Sequence, residues 1–183
     1  MADFEKAFLA TMGHEGGYVN DPDDAGGETY RGISRVAHPE WPGWALVDRV
    51  KTIFARATWN RQLLDQPEVQ RHVRAFYHEQ YWSKIGGARL EQPLAEVLFD
   101  MYVNLGSTIR YLQRTLNVLG ASLIVDGHLG PATTSACAAL PERDQQAAVT
   151  LLRCLRGMHY LERCEAHPDQ KKYLHGWLRR VGP

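Results

Sequence analysis

The stretch HEGGYVNDPDDAGGETYRGIS, residues 14–34, carries the most information in this chain. It follows a segment in which Phe4, Phe8, Leu9 and Met12 recur at helical spacing, with Asp3 placed to cap the start and Gly13 or Gly16 to end it. Glu15 therefore stands at a helix end and faces a loop containing Asp21, Asp23, Asp24 and Glu28, turned by Asn20-Asp21-Pro22 and Gly26-Gly27. Two carboxyls in such unequal surroundings can be held at unequal pKa, one protonated near neutral pH and one charged, as acid/base cleavage of a glycosidic bond requires. Glu15 is placed to be the protonated acid. Asp24, nine residues on, can fold back as its charged partner, with Asp21, Asp23 and Glu28 as competitors and Thr29 close behind. The plainer alternative is a helix end followed by an acidic surface loop held by Asx-turns.

Outward from this stretch the signals are mostly helical. Tyr30 to Ser34 reads as a short strand or extended segment, and His38-Pro39-Glu40-Trp41-Pro42-Gly43-Trp44 as a proline-punctuated loop. Helices are expected from Asp48 to Leu64, from Glu68 after Pro67 to about Lys84, from Leu94 to Leu105, and from Ser107 to Leu119. A hairpin-like piece spans Ala121 to Pro131, helices follow over Thr133 to Leu140 and Glu142 to Glu165, and Gln170 to Val181 is partly helical. The fold class expected is mainly α, with a small extended or hairpin element beside the acidic loop.

The chain has 183 residues, enough for a sizeable core, with 44% apolar and 23% charged residues. Lys plus Arg balance Asp plus Glu at 21 each, so no net field draws in a polyanion and nucleic acid is a poor partner. Arginines do concentrate at Arg49 to Arg61, Arg71 to Arg74 and Arg179-Arg180, read as solvated helix faces or as patches for an anionic polymer. No signal peptide is read at Met1 to Lys6, and no run approaches the roughly 20 apolar residues of a membrane span. Cys137, Cys154 and Cys164 lack metal-type pairing and are read as reduced, mostly buried thiols. His78-Glu79-Gln80-Tyr81-Trp82 begins like a zinc-protease motif but has Trp82 where the second histidine belongs. No nucleophilic serine or cysteine motif is present, and neither metal nor cofactor is expected. The tryptophans suit a core; Trp41 and Trp44, in the proline-punctuated loop, are the pair best placed to stack on a sugar.

The wording of residues 14–34 resembles the N-terminal signature of glycoside hydrolase family 108, the lysozyme-like proteins also described as secretion activators. The match runs through Glu15, Gly16, Gly17, Tyr18, Asn20, Asp21, Pro22, Asp24, Gly26, Gly27, Thr29, Gly32 and Ile33. It departs at Ala25, where proline is expected, and at Tyr30-Arg31 before Gly32. The resemblance continues through Phe76-Tyr77, Tyr81-Trp82, and Leu98-Phe99-Asp100 to Asn104-Leu105-Gly106. From Ile109 onward, Tyr111-Leu112-Gln113 and Val125 to Thr133 are similar to the peptidoglycan-binding segment that usually follows.

The resemblance implies a lysozyme-like fold and N-acetylmuramidase activity on peptidoglycan, with Glu15 as catalytic acid; it also supports Asp24 as second carboxylate. Thr29 is a candidate for positioning water. Tyr18, Asp21, Tyr30, Asp100, Asn104, Trp41 and Trp44 are the candidate substrate contacts. Asp100 and Asn104, four apart on one helix, suit either sugar binding or a polar contact that fixes packing. The expected organisation is a lysozyme-like catalytic region over 1–92 and a helical region with the peptidoglycan-binding segment over 93–183, packed as one globular unit. A monomer made in the cytoplasm and acting at the wall or in the periplasm would need a separate pore-forming, holin-like protein to let it through. The competing reading is a non-catalytic wall-binding or secretion-associated protein that keeps the fold.

Overall fold

A computed structural model of the chain describes residues 1–13, 16–20 and 27–182. It is mainly helical with one small antiparallel sheet, the class expected. The chain divides into two compact units, Phe8–Gln80, and Met1–Ala7 together with Tyr81–Pro183. Among the described residues no helix is long and apolar enough to cross a membrane.

Helix α1, Phe4–Met12, starts where expected: the Asp3 carboxylate accepts the Glu5 backbone N–H at 2.8 Å, the bond of an N-terminal cap. In the Phe8–Gln80 unit the sheet has the order β1 (Tyr18–Asn20), β2 (Glu28–Tyr30), β3 (Ile33–Ser34). Tyr18 pairs with Tyr30 and Asn20 with Glu28, while Tyr30 pairs with Ile33. The extended segment expected over Tyr30 to Ser34 is thus a tight hairpin. Its two turn residues both have positive φ, 46° at Arg31 and 78° at Gly32, which matches the twist of the flanking strands. Gly32 adopts this freely, whereas Arg31 incurs about 1 kcal/mol. The Tyr77 hydroxyl donates to the Arg31 carbonyl at 2.7 Å and holds the turn in place.

The single helix expected from Asp48 to Leu64 is two. Helix α2, Gly43–Ile53, starts earlier and takes in Trp44, Phe54 is extended, a tight turn spans Arg56–Thr58, and α3 covers Trp59–Leu64. Side chains cause the break: the Trp59 indole donates to the Phe54 carbonyl at 2.9 Å, and the Thr58 hydroxyl to that of Ala55 at 2.8 Å. These donors satisfy carbonyls that a continuous helix would have paired along its axis. Helix α4, Pro67–Tyr77, begins at a proline whose missing N–H costs nothing there, and runs into a wider π-type turn at His78–Trp82.

In the other unit Phe4, Trp82 and Phe99 form a triangle of rings 5.7 to 5.9 Å apart. Helices α5 (Gln92–Asn104), α6 (Thr108–Val118), α7 (Pro131–Ala138) and α8 (Glu142–Ala166) follow, and α8 packs on both α5 and α6. A tight turn at Pro168–Tyr173 and the short α9, Leu174–Leu178, complete it. The piece expected to be hairpin-like, Ala121 to Pro131, contains no strand. One face of α6 clasps it instead. Arg110 donates to the Val125 carbonyl, Asn117 exchanges bonds with Leu123, and buried Gln113 donates to Asp126 and accepts from the Gly127 N–H. Backbone groups taken by these side chains are unavailable to a strand ladder. All three cysteines are free; Cys137 and Cys164 are buried and Cys154 is exposed, and burial pushes the Cys137 thiol up to about 11.

One buried ion cluster ties this unit together. Asp100 on α5 accepts from Arg156 on α8, whose side chain is 2% exposed, and from Arg180 at 3.0 Å. Arg156 also donates to the Arg180 carbonyl. Removing one member leaves a buried charge uncompensated, which costs far more than the pair itself contributes. Asp100→Asn is expected to lower unfolding free energy by about 3 kcal/mol or more, read from the midpoint of urea denaturation; an unchanged midpoint would refute this account of the cluster.

Candidate active site

Period-two alternation sorts the sheet into two faces. Tyr18, Asn20, Glu28, Tyr30 and Ile33 share one, while Val19, Thr29 and Ser34 share the other. The first face is occupied by an ion network. The Glu28 carboxylate accepts the Tyr18 hydroxyl at 2.8 Å and the Lys51 ammonium at 2.7 Å, and its second oxygen lies 2.9 Å from the Arg35 guanidinium. Arg35 also grips Asp48 through 2.7 and 3.2 Å bonds and lies over the Trp44 ring at 4.5 Å. The network therefore fastens β2 and the residue after β3 to α2.

Its electrostatics follow from these contacts. Hydrogen bonding from Arg35 is the main reason the Asp48 carboxyl lies below the usual carboxylate range. Burial pushes the Lys51 ammonium down, but its bond to Glu28 and the charge of Glu28 outweigh this and leave it raised. Burial, then the bond to Glu28, raises the Tyr18 phenol. The Tyr18 ring also meets Trp59 edge-on at 5.3 Å, and its backbone N–H donates to the Asn60 side chain. Gly17 permits that bond, because a Cβ there would sit 2.3 Å from the Asn60 carbonyl oxygen.

Glu15, Asp21 and Asp24 lie outside the described residues, as do Asp23 and His14. The frame on either side of them is described. Helix α1 stops at Met12, and the paired ends Asn20 and Glu28 stand on either side of residues 21–26. Thr29 is half-buried on the sheet face opposite Glu28, beside Val19 and Ser34. Tyr18 is half-buried on the network face.

The remaining sequence candidates sit elsewhere. Tyr30 is 1% exposed, stacks on Trp41 at 6.4 Å, and accepts a bond from Gln70 at 2.9 Å. Trp41 and Trp44 are buried edge-to-face at 5.0 Å, and their indoles donate to the His72 and His38 carbonyls. All three rings are buried in this unit. Asp100 belongs to the arginine cluster, and Asn104 donates to the Asp100 carbonyl of its own helix at 2.7 Å. Neither shares the Phe8–Gln80 unit with Thr29.

Sequence reading did not find Arg35 and Lys51 as partners of Glu28, Asp48 as the second carboxylate they share, nor Asn60 as the support of Tyr18. The i, i+3 spacing of Asp48 and Lys51 was the one available signal, and that spacing alone does not name a third partner across the sheet.

Comparison with known proteins places this geometry. Residues 8–106 match the family described as Glycosyl hydrolase 108, and residues 107–182 the one described as Predicted Peptidoglycan domain. The solved structure of Brucella abortus SagA is similar, with a TM-score of 0.58 at 20% identity over 97% of this chain and 88% of that one. At that identity the likeness establishes a shared fold. A comparison with curated proteins returns no match.

Two outcomes are expected. Glu28→Gln leaves Arg35 and Lys51 short of their common partner and should cost on the order of 2 kcal/mol of stability, measured by urea unfolding. Asp48, held lower in the folded chain than in the unfolded one, stabilises the fold at pH above its unfolded value, and this is lost as pH falls through its folded value. Asp48→Asn should therefore flatten the acid limb of a melting-temperature profile below about pH 4, and an unaltered limb would remove Asp48 from the network.

Proposed function

The chain belongs to the glycosyl hydrolase 108 family, and on that premise we propose that it is a lysozyme-type N-acetylmuramidase. Its substrate is peptidoglycan and the bond cut is the β-1,4 linkage between N-acetylmuramic acid and N-acetylglucosamine. The observation that carries this reading is the frame around the acidic stretch. A helix ends just before Glu15, and two paired strands flank the residues that include Asp24. Glu15 donates the proton to the leaving oxygen, and Asp24 stabilises the positive character that develops on the sugar or activates water. Thr29 is the hydroxyl that positions the water, from the face opposite the ion network. Glu28, the nearest rival to Asp24 among the described residues, has both oxygens engaged by Tyr18, Lys51 and Arg35. That supports Asp24 as the second carboxylate.

The matched peptidoglycan domain over residues 107–182 supports the same polymer as the ligand of the C-terminal part. The site of action is the cell wall or periplasm. The protein acts as a monomer, and where it has to cross a membrane to reach the wall, a separate pore-forming, holin-like protein lets it through.

The test is clearing of purified peptidoglycan, with mass spectrometry of the released fragments. Native protein should release fragments ending in a reducing N-acetylmuramic acid, and Glu15→Gln should be at least about 100-fold slower. Equal clearing by both would remove Glu15 as the acid. Binding without clearing by either protein would favour the non-catalytic wall-binding reading.

A further inference from the structure

A concave feature lies within the Phe8–Gln80 unit. It is a pocket of about 490 Å³ between the proline-punctuated segment at residues 37–42 and one side of α4 with the π-type turn after it. That volume suits a small ligand or one side chain of a larger one. Trp41 and Phe76, both buried, form apolar walls, His38 and His72 stand beside them, and Glu40 and Glu79 are exposed at the opening.

The walls are held before any ligand arrives. Trp41 bridges to the His72 carbonyl at 3.3 Å, Trp44 to the His38 carbonyl at 2.8 Å, and the His38 ring meets Phe76 edge-on at 4.7 Å. Trp41 in turn stacks on Tyr30, which belongs to the sheet face opposite Thr29, so this pocket and the Thr29 face are different places.

Its charge selects a ligand. The chain as a whole is neutral, but the pocket lining contains two carboxylates and no lysine or arginine. Among the described residues neither Glu40 nor Glu79 has an ion-pair partner. Carboxylates on an open surface would be an ordinary solvated rim. Here they border a preformed cavity with apolar walls, in which a cation gains from the charges and an aliphatic chain behind it from the walls.

We infer that this pocket binds an aliphatic chain ending in a primary ammonium, the chemistry of the diamino acid in a peptide stem attached to the glycan. The methylenes lie against Trp41 and Phe76, and the ammonium meets Glu40 and Glu79. The identification of the stem rests on the peptidoglycan reading above, while the ammonium specificity rests on the pocket alone.

The experiment is isothermal titration of the native protein with three probes: a short peptide bearing a free lysine side chain, the same peptide acetylated on that amine, and cadaverine. The free lysyl peptide should bind with saturation, and acetylation should weaken it about tenfold or more by removing the charge-assisted bonds. The double variant Glu40→Gln/Glu79→Gln should lose a similar factor with an unchanged melting temperature. Equal binding of the free and acetylated peptides, no saturable binding, or full binding by the double variant would overturn the inference. Binding of cadaverine without the peptide would overturn the stem assignment. No probe is hydrolysed, so the result is independent of whether Glu15 is the catalytic acid.

Discussion

A carboxylate drawn into a protein needs its counter-charges to come with it, and Glu28 brings four elements of the Phe8–Gln80 unit together for that reason. Tyr18 comes from β1, Glu28 from β2, Arg35 from just beyond β3, and Lys51 with Asp48 from α2. The network is short-ranged and directional. It fixes the register Asn20 to Glu28, and a shift of one residue would turn Glu28 away from its cations and bring Thr29 onto them. Thr29 lies on the face opposite this charge pairing and core.

The other unit solves its polar problems in the same way with different groups. Asp100, Arg156 and Arg180 hold α5, α8 and the C-terminal residues together, and Gln113, Arg110 and Asn117 hold the loop after α6. In the loop after α6, a long stretch of chain without regular pairing is ordered by side chains from a neighbouring helix. Asp126, in that loop, accepts from Gln113 and from the His128 N–H, and these bonds lower its pKa. The glycine and aspartate of the motif at residues 125–133 are thus explained by turn geometry without a ligand.

Much of the fold was legible because it rests on local rules. Asp3 as a cap, and the helices after Pro67 and after Gly106, follow from spacing and residue type. Two departures from the expected elements share one physical source, side chains competing for backbone groups. Trp59 and Thr58 break the helix expected through Leu64, and Gln113 with its neighbours replaces the hairpin expected after Ala121. Trp41 and Trp44 were read from loop composition as open to a sugar. The structure buries both, Trp41 against Tyr30 and the His72 carbonyl on other elements, and Trp44 against Trp41.

By itself, the sequence determined the mainly helical class, the place of the acidic stretch between a helix end and a strand, and the family signature from Glu15 to Ile33. Each of these is written in neighbours or in fixed spacing, where backbone geometry leaves few choices. Only the tertiary structure decided which carboxylates are spent on structure. Glu28 and Asp100 look no different from Asp24 as letters, yet Glu28 meets cations 7 and 23 residues away and Asp100 meets them 56 and 80 residues away. Whether an acid is free for chemistry depends on what the folded chain brings within about 3 Å of it, and sequence spacing does not record that distance.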